Sequence, residues 1–166
     1  MIGNIKIIAV CMCKVYDERN YRIIRALNNF AVENDYRLFV YHTCSDLYWK
    51  TLSEKGEQSV FDLIDYNITD AVVTFEEGVY AENVMTKIRM DAAKYGKPVI
   101  SVGVEHDDCI SIKFGYAKGF EQVVRHVIEQ HGVRDIGFIA GRKDEENSEE
   151  RIAVFRKLLE EYDIPF

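Results

Sequence analysis

Six aromatic residues, Tyr16, Tyr48, Trp49, Phe75, Tyr80 and Tyr116, fall in or beside segments that a strand–helix alternation would place at the carboxyl ends of strands. Aromatic faces with a few polar groups are what a small-molecule cleft is built from. The competing reading is that some of them cap the edge of a sheet. Other chemistries lack an assembled set. Cys13-Lys14-Val15-Tyr16 stands after the first expected strand, where a P-loop or a dinucleotide fingerprint would need glycines. Gly115 and Gly119 flank a helix start, but two glycines there read better as a turn than as an anion cradle. There is no nucleophile elbow. Cys13 could be a reactive thiol at a strand end, yet no partner histidine is identifiable, and a buried structural thiol is the better reading. His106-Asp107-Asp108-Cys109 is the only local metal candidate; no second cluster completes it, so it reads as a solvated loop. His42 and His126 read as packing or surface residues. Glu76-Glu77 and Asp107-Asp108 are adjacent acids that read as solvated charge. No catalytic residue, metal or cofactor is expected. A phospho-acceptor receiver domain would need paired acids after the first strand and an aspartate ending the third; Met12-Cys13-Lys14 and Thr74-Phe75-Glu76-Glu77 stand there instead.

The elements that would position these residues alternate steadily. Apolar, β-branched runs at Ile5–Met12, Arg37–His42, Asp70–Phe75, Val99–Val104 and Cys109–Phe114 read as strands. Helical spacing runs over Asp17–Asn34, with Ile23, Ile24, Leu27, Phe30 and Ala31 inward. It recurs over Leu47–Tyr66, around Leu52, Val60, Leu63 and Ile64, and over Ala81–Tyr95 and Gly119–Gln130. Gly96-Lys97-Pro98 stops one helix and opens the next strand. Asp135–Ala140 reads as a further strand, and Ser148–Tyr162 as a last helix that Ser148 could cap. Such alternation predicts an α/β fold: an open parallel sheet with helices on both faces, and ligands beyond the carboxyl ends of the strands.

With 166 residues, 48% of them apolar, 30% charged and a formal net charge of -7, the chain suits one ordinary domain with a real core and argues against a nucleic-acid partner. No apolar run approaches the ~18 residues of a membrane span. Scattered Cys11, Cys13, Cys44 and Cys109 fit reduced thiols in a cytoplasmic protein.

"RHVIEQHGVRDIGFIAG" at 125–141 and "SEERIAVF" at 148–155 resemble the periplasmic-binding-protein-like effector domain of the lac-repressor family, and "AKYGKPVISVG" at 93–103 is similar to another of its strands. The resemblance implies a two-lobed body closing on a small ligand such as a sugar or a nucleoside. It implies that 1–134 form the first lobe and 135–166 the first strand and helix of a second, truncated lobe. In that motif the arginine, here Arg151, commonly reaches the ligand; a guanidinium fork suits hydroxyl or carboxylate oxygens. The competing role is an ion pair with Glu149 or Glu150. The expected ligand contacts are then Tyr16, Asp17, Trp49, Glu76, Tyr116 and Arg151. The pattern departs from the family where Gly115-Tyr116 replaces an Asp-Asn pair, where Val154 replaces a glycine, and in the loop after the first strand. The phrases Gly132…Asp135-Ile136…Ile139-Ala140-Gly141 and Glu150-Arg151-Ile152…Phe155 are closest to sensor regions ahead of GGDEF diguanylate cyclase domains. That implies a sensory domain, itself no enzyme, governing such an output domain, with a ligand-free dimerisation module as the alternative. The last helix carries Ile152, Phe155, Leu158 and Leu159 on one face. This face is expected to be buried by a continued sheet or a homodimer.

Overall fold

The computed structural model describes residues 5–77, 79–143 and 145–166. They fall into two compact units, Met1–Lys113 and Phe114–Phe166.

The first unit is built on a five-stranded, all-parallel sheet in the order β2-β1-β3-β4-β5, with β1 at Lys6–Cys13, β2 at Tyr36–Thr43, β3 at Ala71–Phe75, β4 at Val99–Val102 and β5 at Ile110–Ile112. Helix α1 (Glu18–Glu33) links β1 to β2, and α3 (Glu82–Lys94) links β3 to β4. These steps run in opposite directions across the sheet, so right-handed crossovers place α1 and α3 on opposite faces. Register puts Ala9, Cys11, Val72 and Val99 on one face, where they join Met85, Ile88 and Ala92 of α3 and also Phe61 and Ile64. Each such side chain, fully buried, contributes about 1.5–3 kcal/mol if it is of Val to Phe size.

Two expected patterns came apart. The 47–66 segment is not one helix: α2 covers only Leu52–Gln58 and passes into a 3₁₀ turn at Ser59–Leu63. The change of period from 3.6 to 3.0 turns Phe61 and Ile64 inward and leaves Leu52 and Leu63 exposed. On α1 only Ala31 is fully buried; Ile23, Ile24 and Leu27 are half-buried and Phe30 is exposed.

β5 runs parallel to β4 although only residues 103–109 separate them. Such a return needs a sharp reversal at its start, and Gly103 supplies it with φ +102, its N–H donating to the Ile112 carbonyl at 2.8 Å. A Cβ there would lie 2.6 Å from Glu77 Cβ and 2.9 Å from Glu77 N. Gly103→Ala is expected to cost about 1–3 kcal/mol from the backbone alone, and more from the clash. Urea titration checks this; an unchanged midpoint would show that the loop adopts another path.

The second unit holds α4 (Tyr116–His131) and α5 (Glu146–Glu161). Val124 and Ile128 of α4 meet Phe155, Leu158, Leu159 and Ile164, with Ile136 and Phe138 against them. Arg125 staples the pair from outside, binding both oxygens of Glu161 at 2.6 and 2.7 Å. Its hydrogen bonds to Glu161, Glu121 and Tyr162 hold the guanidinium further up, and Glu161 correspondingly below the usual carboxylate range. Asp135–Ala140 forms no strand. It keeps strand-like alternation, Ile136 and Phe138 half-buried and Ile139 exposed, but among the described residues no neighbouring strand offers it a ladder. The sheet is therefore not continued by this segment, and Phe155, Leu158 and Leu159 are buried against α4 instead. Nor does Ser148 cap α5. It sits in the first turn, its hydroxyl donating to the carboxylate of Glu145, which occupies the N-cap position.

Candidate functional site at the carboxyl ends of the strands

The loop after β2 is the most firmly built part of the strand tips in the first unit. Glu57 Oε2 accepts from the backbone N–H groups of Cys44 and Ser45 at 2.8 and 2.9 Å. Thr51 and Glu54 form a reciprocal capping box at the start of α2, and buried Glu54 also accepts from the Trp49 N–H at 3.3 Å. Tyr80 N–H donates to the Asp46 carbonyl at 3.1 Å, tying in the loop after β3. These contacts hold Tyr48 between Trp49 and Tyr80, with ring centroids 4.5 and 5.4 Å apart, both edge-on. Trp49 is left 75% exposed.

The neighbouring tip, after β1, carries Tyr16 edge-on to His42 at 5.4 Å, and Tyr16 is 81% exposed. Lys14 pairs with Asp46 at 2.9 Å. The mutual hydrogen bond raises the lysine and lowers the aspartate from their usual values, although both side chains are a third exposed and the pair adds little stability. Asn20 donates to the carbonyls of Cys13 and Lys14, closing the strand end, and Arg19 reaches Glu77 at 2.8 Å. Lys14, Leu47 and Lys50 all have positive φ (47°, 61° and 54°). Three non-glycine residues in left-handed conformations within two adjoining loops are strain of the kind that clusters at ligand sites.

Beside these tips lies a buried polar network. Glu76 (6% exposed) and Arg89 of α3 (7%) form an ion pair, Nη1 lying 3.2 and 3.3 Å from the two carboxylate oxygens. Thr74 Oγ1 donates to Glu76 Oε1 at 2.8 Å. Arg89 Nη2 donates to Thr86 Oγ1, and Nε lies 3.4 Å from Asp108. His106 Nε2 stands 2.9 Å from Glu76 and 3.0 Å from Arg89 Nη1. It can serve one of them at a time: as N–H it donates to Glu76, and as a bare nitrogen it accepts from Arg89.

The two buried thiols of β1, Cys11 and Cys13, are not poised for attack. Burial raises Cys13 to about 11, and the thiol lies 3.0 Å from the Thr43 hydroxyl. Burial raises Cys11 further still. Among the described residues, no group of three or more His, Cys, Asp or Glu is placed to hold a metal.

No family model and no curated protein matches the chain. Solved structures do. A sugar-binding LacI-family transcriptional regulator from Enterococcus faecalis is similar over 99% of this chain and 55% of its own, at 16% identity with a TM-score of 0.67. The transcription regulator CcpA of Lactococcus lactis is similar over 97% and 55%, at 20% identity and 0.71. A periplasmic binding protein/LacI transcriptional regulator from Alkaliphilus metalliredigens, solved with D-xylulofuranose, is similar over 96% and 54%, at 18% identity and 0.67. The chain has a LacI-type, periplasmic-binding-protein-like fold. It spans about half the length of the solved chains it matches.

On this LacI-type fold the six expected contacts have different fates. Tyr16, Asp17 and Trp49 are exposed at the strand tips of the first unit. Glu76 is at the end of β3, but its carboxylate is committed to Arg89, His106 and Thr74, so it is not offered to a ligand at the surface. Tyr116 opens α4 in the second unit, its ring 5.8 Å from Phe114. Arg151, half-buried on α5, donates from Nε to the Asn147 carbonyl at 2.9 Å. Sequence reasoning missed Arg89, although the signal was present: it shares the apolar stripe of α3 with Met85, Ile88 and Ala92. A cation on such a stripe demands a buried anion. A groove of about 560 Å³, lined by Phe61, Tyr66, Lys87, Asp91, Lys94 and Tyr95 among others, lies elsewhere. Lys87 bridges Asp62 and Asp91 there and Lys94 pairs with Asp91, so those four charges are already matched.

Proposed function

We propose that this chain is a sensory domain that binds a small polar ligand at the strand tips and regulates an attached output domain. The observation that carries the reading is Trp49: a large aromatic face held out to solvent by a loop that two carboxylates and a capping box fix in place. An exposed indole on a rigid mount is a stacking platform for an apolar ring face, and Asp17 and the Lys14–Asp46 pair supply hydrogen-bonding groups beside it. The sugar complexes among the solved relatives, with sucrose, glucose and D-xylulofuranose, make carbohydrates the first class to try. The sequence phrases shared with regions ahead of GGDEF domains support a diguanylate cyclase as the output. The chain itself is proposed to be non-catalytic and cytoplasmic, and to work as a homodimer. Ligand binding would shift the population of output-competent states.

A second reading is a module that has lost its ligand and only dimerises. The sequestration of Glu76 favours it. Thermal-shift screening against sugars, nucleosides and amino acids separates the two, since a ligand stabilises the native state by mass action. With a hit in hand, Trp49→Ala is expected to weaken binding by about tenfold or more, roughly 1.4 kcal/mol. Unchanged affinity removes that residue from the site, and silence across the whole panel leaves the dimerisation module standing.

A further inference from the structure

The last two turns of α4 present two imidazoles end to end. His126 and His131 are both exposed, and their Nε2 atoms are 3.1 Å apart with ring planes at 77°. The ring centroids are 4.9 Å apart, so the two nitrogens converge on a shared point beside the helix rather than stacking past each other.

We propose that His126 and His131 form a two-ligand site for a borderline divalent transition-metal ion, of the Zn²⁺ or Ni²⁺ type. With metal–nitrogen bonds of about 2.0–2.1 Å, an Nε2···Nε2 separation of 3.1 Å corresponds to an angle of about 100° at the ion, between the octahedral and tetrahedral values. Neutral imidazole is the nitrogen donor that such ions prefer, whereas Mg²⁺ and Ca²⁺ demand oxygen. His131 is the final residue of α4, and Gly132 leaves the helix in the left-handed conformation at φ 64°. The unpaired carbonyls of that end give it partial negative charge, which favours a cation. Arg134 already uses part of it, donating to the carbonyls of Ile128 and Val133, and Glu129 accepts from the Tyr162 hydroxyl. Without metal, the pair can share one proton as a single hydrogen bond; with metal, both Nε2 lone pairs turn to the ion and both protons reside on Nδ1. Water fills the remaining positions, because no third His, Cys, Asp or Glu completes the set among the described residues. The site is therefore exchangeable, and its occupation braces the end of α4.

The test titrates Zn²⁺ and, separately, Ni²⁺ into the chain carrying Cys44→Ser, which removes the exposed thiol, with Mg²⁺ as control. Calorimetry should show one ion bound per chain. Ring resonances of His126 and His131 should shift while those of His42 and His106 stay. Either His126→Ala or His131→Ala should weaken binding by about tenfold or more. His126→Gln, which keeps a hydrogen-bonding partner for His131 but no imidazole, should behave like the alanine variant and guards against a folding artefact. The proposal is overturned if neither ion produces heat or ring shifts, or if the variants bind as tightly as the parent.

Discussion

Replacing Arg89 by methionine should destabilise the first unit by about 3–5 kcal/mol, the usual cost of removing one partner from a buried ion pair. Methionine matches the aliphatic length of arginine, so little of that loss comes from a cavity. It comes from Glu76, left 6% exposed without its main countercharge. His106 can still donate one N–H to it, and Thr74 one O–H, but neither supplies the guanidinium. A double variant, Glu76→Leu with Arg89→Met, removes both charges and should recover most of the stability, because an apolar pair of similar volume is often neutral against a buried salt bridge. Chemical denaturation of the single and double variants decides between these outcomes. A loss below about 1 kcal/mol in Arg89→Met would mean that water reaches Glu76 and that the network is not a buried one. The network also fixes the loop after β3, where Glu76 N–H donates to the Val102 carbonyl and Val79 N–H to the Glu76 carbonyl. Glu77, next along, is the residue that Arg19 grips. The single variant should therefore loosen the strand tips as well, and lose any ligand found there.

What could be read from the residues was whatever depends on period and chain order. Doubly buried parallel strands write themselves as apolar β-branched runs, and all five were anticipated within a few residues. The parallel open sheet then follows from alternation alone. The failures have a different cause: each depended on a contact or a local change of period that alternation does not encode. Asp135–Ala140 has a strand's alternation but no ladder, and alternation cannot announce whether a neighbour exists. Leu52 and Leu63 fitted a helical stripe that the 3₁₀ turn then rotated outward. Phe30 lies on an apolar stripe that α1 buries only at Ala31. Glu76 looked like loop charge because it stands next to a second acid, Glu77, in the loop after β3, whereas its own partner stands 13 residues away on a helix. Of the site, Tyr16, Asp17 and Trp49 were legible as strand-tip residues. The Glu57 clamp beneath the Trp49 loop was not, since it acts through backbone N–H groups that carry no sequence signature; the Thr51-x-x-Glu54 capping box does carry one and was missed.

Phe155→Ala carries the other large expected effect. Phe155 lies at the centre of the second unit's core, 3% exposed, with Phe138 at 5.1 Å and Phe166 at 6.4 Å between ring centroids. Truncating a buried phenylalanine costs about 3–5 kcal/mol in lost transfer energy and residual cavity. Residues 114–166 form a small body, and bodies of that size bury too little surface to hold a wide stability margin. The substitution should therefore exceed the local margin rather than merely lower it. Hydrogen exchange is the measurement: amides of α4 and α5 should lose protection, including those around Val124 and Ile128, while amides of β1 and β3 keep theirs. The surface staple of Arg125 with Glu161 cannot compensate, because it is solvent-screened and holds only one flank of the helix pair. If β1 and β3 lost protection to the same degree, the two compact units would be one cooperative body. If instead α4 and α5 kept their protection, Phe155 would not be the residue on which Phe138 and the helix pair close. Ile136 and Phe138 would then owe their partial burial to something other than this core.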